Sequence, residues 1–282
     1  MVIALMGILV SIVAAFIVRP VEGYRDLARR AALVEAAESS LRRMQRDIRT
    51  ALPNSVRITN TASGYALELI PVLDAGRYNN SGGTNDEQLD VTPGGGGGDL
   101  QFDIQHCFRN PATRTTAGIR LVANSRGTGL YNVYNDAGSS VGTESIITPA
   151  TGMNISITSA TCPTSGFDHI TMTPGHNFRD NESPNRLIYV VTTVSSYLCD
   201  TAVGTLTRYY NYAIPATQPT TVAAFTALNA SSAQVTDRVT ACNVTTTTAD
   251  VRNRALATLS LTLAEEGEQV RLVLQAQLDN TR

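Results

Sequence analysis

MVIALMGILVSIVAAFIV, residues 1–18, is followed after a short interval by LARRAALVEAAESSLRRMQRDIRTAL, residues 27–52. The first stretch carries no charge, and Ser11 is its one clearly polar side chain. As a helix, eighteen residues rise about 27 Å, near the roughly 30 Å hydrocarbon core of a bilayer. Nothing charged precedes the run and no small-residue cleavage site follows it, which predicts a retained anchor rather than a removable signal. In the second stretch Leu27, Ala31, Val34, Ala37, Leu41, Met44, Ile48 and Leu52 recur at spacings of three and four. That recurrence draws one apolar face along a helix, with arginines on the others. Pro20 and Gly23 stand between the two stretches and predict a bend or local melting there. Pro53 disfavours helix at Leu52 and predicts the stop.

Working outward, the charge divides with the helix. From Arg19 to Arg57 nine arginines face five acids, a net of +4; from Ile58 onward 13 arginines face 19 acids, a net of −6. The whole chain is 282 residues long with a formal net charge of −2, and all 22 of its basic residues are arginine. Without lysine, Schiff-base catalysis and a P-loop ATPase are both excluded. The near-neutral balance also speaks against nucleic acid as a partner.

Past Ser55 the pattern turns to short strands. Val56–Thr59, Tyr65–Leu69, Ile119–Ala123, Ile155–Thr158, Leu187–Val194 and Thr205–Ala213 are the candidates. The clearest signal is C-terminal. Leu259, Leu261 and Leu263 alternate with polar residues, as do Val270, Leu272, Leu274, Ala276 and Leu278. With Gly267 in the linker Ala264–Glu268, this predicts a hairpin with one buried face. Residues 74–99 read as a long Gly-rich exposed loop ending in Gly94–Gly98, and Thr245–Thr248 reads as loop too. The predicted organisation is a transmembrane helix half (1–18), an amphipathic half (19–52) and a β-rich head (53–282).

Cys107, Cys162, Cys199 and Cys242 contain no C-x-x-C pair, so zinc is disfavoured and two disulfides in an oxidising compartment are expected. Three connectivities are open; order along the chain favours Cys107–Cys162 with Cys199–Cys242. Catalytic signals are weak. Gly138-Ser-Ser-Val-Gly142 matches G-x-S-x-G formally but lies in a loop rather than between strand and helix. His106, His169 and His176 form no H-E-x-x-H, and His169 and His176 become a metal pair only if the fold joins them. Asn85, Asp86, Glu87 and Asp90 offer oxygen ligands for calcium without the D-x-D-x-D-G spacing. No enzyme activity, cofactor or resident metal is expected.

Arg19-Pro-Val-Glu-Gly-Tyr24, Ala28-Arg-Arg-Ala31, Leu41-Arg-Arg43 and Ala51-Leu-Pro-Asn-Ser-Val-Arg57 resemble minor pilins of the type IV pilin and pseudopilin superfamily. The likeness is most specifically to the MshO-type subunits of mannose-sensitive haemagglutinin pili. It returns at Gly76-Arg-Tyr78, Val194-Ser-Ser-Tyr-Leu-Cys199, Arg208-Tyr209, Leu259-Ser-Leu-Thr-Leu263, Glu266-Gly-Glu268 and Asp279-Asn280. It implies an α+β, pilin-like fold, a long N-terminal helix packed on an antiparallel β-rich head. It also implies a non-catalytic role in pilus assembly, initiation or tip formation. A minor pseudopilin of type II secretion and an anchored periplasmic adhesin are the alternatives. The implied partners are other pilin subunits, an inner-membrane assembly platform and membrane lipid. Ile3, Leu5, Ile8, Leu9, Ile12, Val13 and Phe16, with Pro20 and Gly23, become the helix-packing residues. The basic leader, cleavage glycine and early glutamate of such pilins have no counterpart in residues 1–18, so prepilin processing is not expected of this sequence. Arg19, Arg25, Arg29 and Arg30 would by the positive-inside rule place that flank in the cytoplasm. The cysteines and the resemblance favour the opposite: a single-pass protein of the bacterial inner membrane with a periplasmic head, or one exposed on a fibre.

Overall fold

A computed structural model of the chain describes residues 2–79, 88–90, 98–159, 162, 166–179, 183, 185–247 and 254–279; for residues 3–5, 8–12, 14–21, 254 and 279 it describes the backbone alone. The elements follow in the order α1 (Val2–Arg49), β1 (Arg57–Thr61), β2 (Gly64–Leu69), β3 (Val72–Arg77), β4 (Asp99–Ile104), β5 (Arg120–Ala123), α2 (Val133–Asp136), β6 (Asn154–Thr158), β7 (Asp168–His176), β8 (Leu187–Val191), β9 (Val194–Asp200), β10 (Thr205–Tyr212), α3 (Val222–Ala227), β11 (Ser231–Thr236), β12 (Val239–Thr247), β13 (Arg254–Glu265) and β14 (Glu268–Asp279). The strands form four antiparallel sheets, ordered β1-β2-β9-β10-β11, β12-β13-β14, β3-β8-β5 and β4-β7-β6.

The predicted architecture is corrected by these elements. An α+β, pilin-like molecule with a membrane-spanning helix half on a separate head is not what is found; the chain is predominantly β. Among the described residues no helix is long and apolar enough to cross a membrane. The predicted single-pass anchoring in the inner membrane with a periplasmic head falls with it. From Glu22 to Arg49 the helix carries twelve charged side chains in 28 residues, and such a surface does not enter hydrocarbon. Its second half is instead a core element enclosed by strands.

Alternation on the strands explains how three cores are divided. In β2, Tyr65, Leu67 and Leu69 face α1, while Ala66, Glu68 and the adjoining Ile70 face the other way. The first core joins Leu33, Ala37, Leu41, Met44 and Ile48 of α1 to that face and to the inner face of β12–β14. Each fully buried Leu, Ile or Met there contributes about 1.5–3 kcal/mol relative to exposure. The second core lies behind the five-stranded sheet, where Phe225 stacks on Tyr209 with centroids 4.0 Å apart and meets Tyr212 edge-on. Asn211, at φ 58°, sits in a bulge that brings Tyr212 onto the face of Tyr209. The third core fills the space between β3-β8-β5 and β4-β7-β6, around Phe102, Phe108, Ile170 and Ile188.

Several boundaries differ from the sequence reading. The helix stops at Arg49, before Leu52, because the backbone turns to bond the β2–β3 segment: Leu52 donates to Ile70 O and Val72 donates to Thr50 O. It runs without interruption through Pro20 and Gly23. The hairpin turn is only Glu266–Gly267, both at positive φ (44° and 90°), which suits a tight two-residue connection. Thr245–Thr247 belong to β12, opposite Thr258, Ala257 and Leu256. Threonine is β-branched and suits a strand as well as a loop. Of the expected loop 74–99, Asp74–Arg77 lie in β3 and Asp99 opens β4, while 80–87 and 91–97 fall outside the described residues.

Candidate assembly surface

Docking of α1 begins with its apolar ridge, buried from Leu33 to Ile48. Polar pins fix its rotation. The Asp47 carboxylate accepts from the Tyr197 hydroxyl at 2.7 Å and from Arg208 Nε at 3.1 Å. Gln45 Nε2 donates to the Gln275 carbonyl of β14 at 2.6 Å. The Tyr65 hydroxyl, pushed up in pKa by burial, reaches Met44 Sδ at 3.7 Å. Burial and the neighbouring Asp47 likewise raise Tyr197, so both phenols stay protonated donors. At the far end Arg29 bridges to Glu266 of the hairpin turn at 2.5 Å.

Beyond Arg29 the helix leaves the body. Glu22 to Ala32 are exposed except for the half-buried Arg29, with Tyr24 75% and Leu27 70% exposed. The predicted ridge is thus used only in part: Leu27 and Ala31 face solvent, Val34 is half-buried, and Leu33, outside that series, is buried. Of the predicted helix-packing residues, Val13 is exposed, as are its helix neighbours Val2 and Met6. Ile3, Leu5, Ile8, Leu9, Ile12, Phe16 and Pro20 have helical backbone, and their side chains lie outside the described residues. Gly23 is exposed, and a Cβ placed on it would meet nothing within 4 Å.

The cysteines form Cys107–Cys162 and Cys199–Cys242, closing 55- and 43-residue separations, with no free thiol. Cys199–Cys242 ties the five-stranded sheet to β12 around the docked helix. The histidines do not converge. His169 Nδ1 lies 2.6 Å from Asp103 Oδ1, whereas buried His176 turns Nε2 toward the Ser145 carbonyl at 3.3 Å and meets Phe178 edge-on. Desolvation, aided by the nearby Arg120 cation and opposed by that hydrogen bond, lowers the His176 pKa to about 4. His106 is exposed. Asn85, Asp86 and Glu87 lie outside the described residues, and Asp90 donates its backbone N–H to Asp99. Among the described residues no three His, Cys, Asp or Glu side chains converge as metal ligands. Gly138–Gly142 follows the single turn α2 with no strand before it, so no nucleophile elbow forms.

Sequence reasoning missed the buried charges. Glu68 is fully buried and accepts from Arg57 Nε at 2.8 Å and from the Tyr212 hydroxyl at 2.9 Å. Burial raises its pKa, with Arg57, Tyr212 and Ser196 pulling the other way. Arg57 also donates to the Pro215 and Ala216 carbonyls and lies 3.6 Å over the Tyr134 ring. Asp168 receives two bonds from Arg114, and Asp136 pairs with Arg179. Each carboxylate is saturated by its own fold, which makes these pairs clamps rather than reaction centres. No spacing in the sequence announces them, because each pair joins residues from separate elements.

No family model, curated protein or solved structure matches the chain.

Proposed function

We propose that this chain is a non-catalytic assembly subunit acting as a minor pilin in a fibre of the type IV, mannose-sensitive haemagglutinin kind. The observation that carries the reading is the exposed reach of α1 beyond Arg29, which holds Tyr24 and Leu27 in solvent. A helix in water draws most of its stability from packing an apolar face. The described side chains there find no such packing within the chain, and helices of neighbouring subunits would supply it. The docked half would then orient the β body relative to the fibre. The partners in this reading are other pilin subunits and the assembly platform that supplies the driving force. Three of the segments quoted above as resembling minor pilins, Arg19–Tyr24, Ala28–Ala31 and Leu41–Arg43, lie on this same helix.

The test is an in-frame deletion complemented by wild type or by Tyr24→Asp/Leu27→Asp, with surface fibres counted by electron microscopy. Wild type should restore fibres and the double variant should not, although its body folds, since both positions are exposed. Normal fibres with impaired protein secretion would move the role to the secretion apparatus. Normal fibres and normal secretion would overturn the proposal.

A further inference from the structure

The outer face of β12–β14 turns away from the helix, and its cross-strand rows are set by a bulge. The register shifts between Val239 and Ala241, so that Val239 and Cys242 both point into the first core. Ala241 and Asn243 therefore face outward. Two rows result: Ala241–Thr262–Arg271 and Asn243–Ser260–Val273. Small side chains, Ala241 and Ser260, meet long ones, Gln269 and Arg271, and the difference in length leaves a hollow of about 500 Å³ over the sheet. That size falls within the range of small-ligand sites, about 300–1,000 Å³.

Its lining mixes Ala241 and Cys242 with the neutral polar Asn243, Ser260, Thr262 and Gln269, and carries one cation, Arg271. Thr262, at the floor, is only 5% exposed, and its hydroxyl meets no hydrogen-bond partner among the described residues. The hydroxyl oxygen is not shut away from solvent; it opens into the hollow, where a ligand can reach it. Arg271 Nε donates to Ser260 Oγ at 3.2 Å, which orients the guanidinium at the rim without neutralising it. Among the described residues Arg271 has no carboxylate partner. Asn243 and Gln269 add amide groups to the wall.

We propose that this hollow binds a carboxylate side chain carried on an extended peptide segment of a partner protein. The guanidinium presents a planar fork that matches a carboxylate. The Thr262 hydroxyl and the two amides are placed to meet the peptide groups beside it. Three strands at about 4.8 Å spacing give a floor roughly 10 Å across, enough for two or three extended residues. Arg271 is the one charged residue in the lining, which favours an anionic ligand at this spot. The site stands whether or not α1 assembles into a fibre.

The experiment uses the full chain and a fluorescent, N-acetylated, C-amidated peptide of sequence Gly-Thr-Glu-Thr-Gly, read by anisotropy. Its Glu→Gln counterpart and inorganic phosphate serve as the comparison arms. Saturable binding of the Glu peptide is expected, with about tenfold weaker binding for the Gln peptide or for Arg271→Gln, as loss of one charge-assisted pair implies. Thr262→Val, which keeps shape and removes the hydroxyl, should also weaken it. Arg271 is exposed, so its variant folds, and a thermal melt verifies this for both proteins. The proposal is overturned if the Glu peptide does not bind at 10 mM, roughly the weakest affinity worth calling a site. Equal binding of the Gln peptide, or an unaffected Arg271→Gln chain, overturns it as well. Displacement by phosphate as effective as by unlabelled peptide would make the hollow a free-anion site and overturn the peptide reading.

Discussion

Between Leu33 and Ile48, α1 hides five apolar side chains at 2% exposure or less; between Glu22 and Ala32 the same helix leaves Tyr24 and Leu27 in solvent. Both parts have one backbone hydrogen-bonding scheme and similar proportions of arginine and acid. Their difference lies in what faces them. Strands β2, β9, β13 and β14 close around the first, whereas the second is exposed apart from half-buried Arg29, which pairs with Glu266. Periodicity thus marks which face of a helix can be buried, whereas the sheets decide how much of that face is.

The largest expected effect tests this directly. Leu41→Ala or Met44→Ala removes packed atoms from an enclosed site and should cost about 2–5 kcal/mol in denaturant unfolding. Leu27→Ala should change stability by less than about 0.5 kcal/mol, as surface substitutions do. Equal losses at Leu41 and Leu27 would erase the comparison. Next comes the link that closes the sheets around the helix. Replacing Cys199 and Cys242 together by alanine should cost about 2–4 kcal/mol, as expected for a closed loop of this size. The measurement is again denaturant unfolding, and an unchanged midpoint would mean that the enclosure holds without its cross-link.

Away from the helix, the third core contains a pH response of known sign. The folded pKa of His176 is lowered to about 4 from 6.5, chiefly by desolvation. Its contribution is therefore fully present above pH 6.5 and lost as pH falls toward 4, by about 3 kcal/mol at most. Asp99 has the opposite sign. Burial raises its pKa to about 6, so its contribution is present below its ordinary 3.8 and lost as pH rises through 6. His176→Gln keeps a side-chain N–H for the Ser145 carbonyl. In that variant the fall in stability from pH 6.5 to 4 should disappear or reverse. A persisting fall of wild-type size would show that another group is responsible.

The parts of this fold legible in sequence were those written in short-range pattern. The alternation of Leu259–Leu263 and Val270–Leu278 located β13 and β14, with Gly267 marking their turn. Chain order sufficed to favour the disulfide pairing that is found. Less was legible where partners are distant. The backbone exchange of Thr50 and Leu52 with the β2–β3 segment ended the helix early, and no local signal records a strand that arrives later in the chain. β7 is absent from the candidate strands and contains Pro174 and Gly175, which disfavour a strand, yet it is the central strand of its sheet. The hollow over β12–β14 depends on the bulge between Val239 and Ala241. An apolar alternation scan passes over such a shift, because it needs the register of β13 to define it. The membrane reading is overturned because no helix among the described residues is long and apolar enough to cross a bilayer, and from Glu22 onward the same helix is heavily charged.

A smaller effect distinguishes the pins from the packing. Asp47→Ala leaves the Tyr197 hydroxyl and Arg208 without their shared acceptor and should cost about 1–3 kcal/mol by chemical denaturation, the penalty of an unsatisfied buried group. Asp47→Asn keeps an acceptor oxygen and should cost less. If the two variants are equally destabilised, the charge matters more than the hydrogen bonds, and the helix is held to β9 and β10 by ion pairing.

The smallest effect concerns the free half alone. Gly23 is exposed, is not at positive φ, and has open space where a Cβ would stand. Gly23→Ala should therefore add helix propensity, by at most about 1 kcal/mol, without touching the body. Because Glu22–Ala32 is exposed apart from half-buried Arg29, that gain should not reach the global unfolding midpoint. It should show instead as slower amide exchange confined to residues near 23, since local opening there is separable from unfolding of the cores. A raised midpoint would mean that the two halves of α1 unfold as one unit, and the contrast between them would then be one of solvent exposure and not of stability.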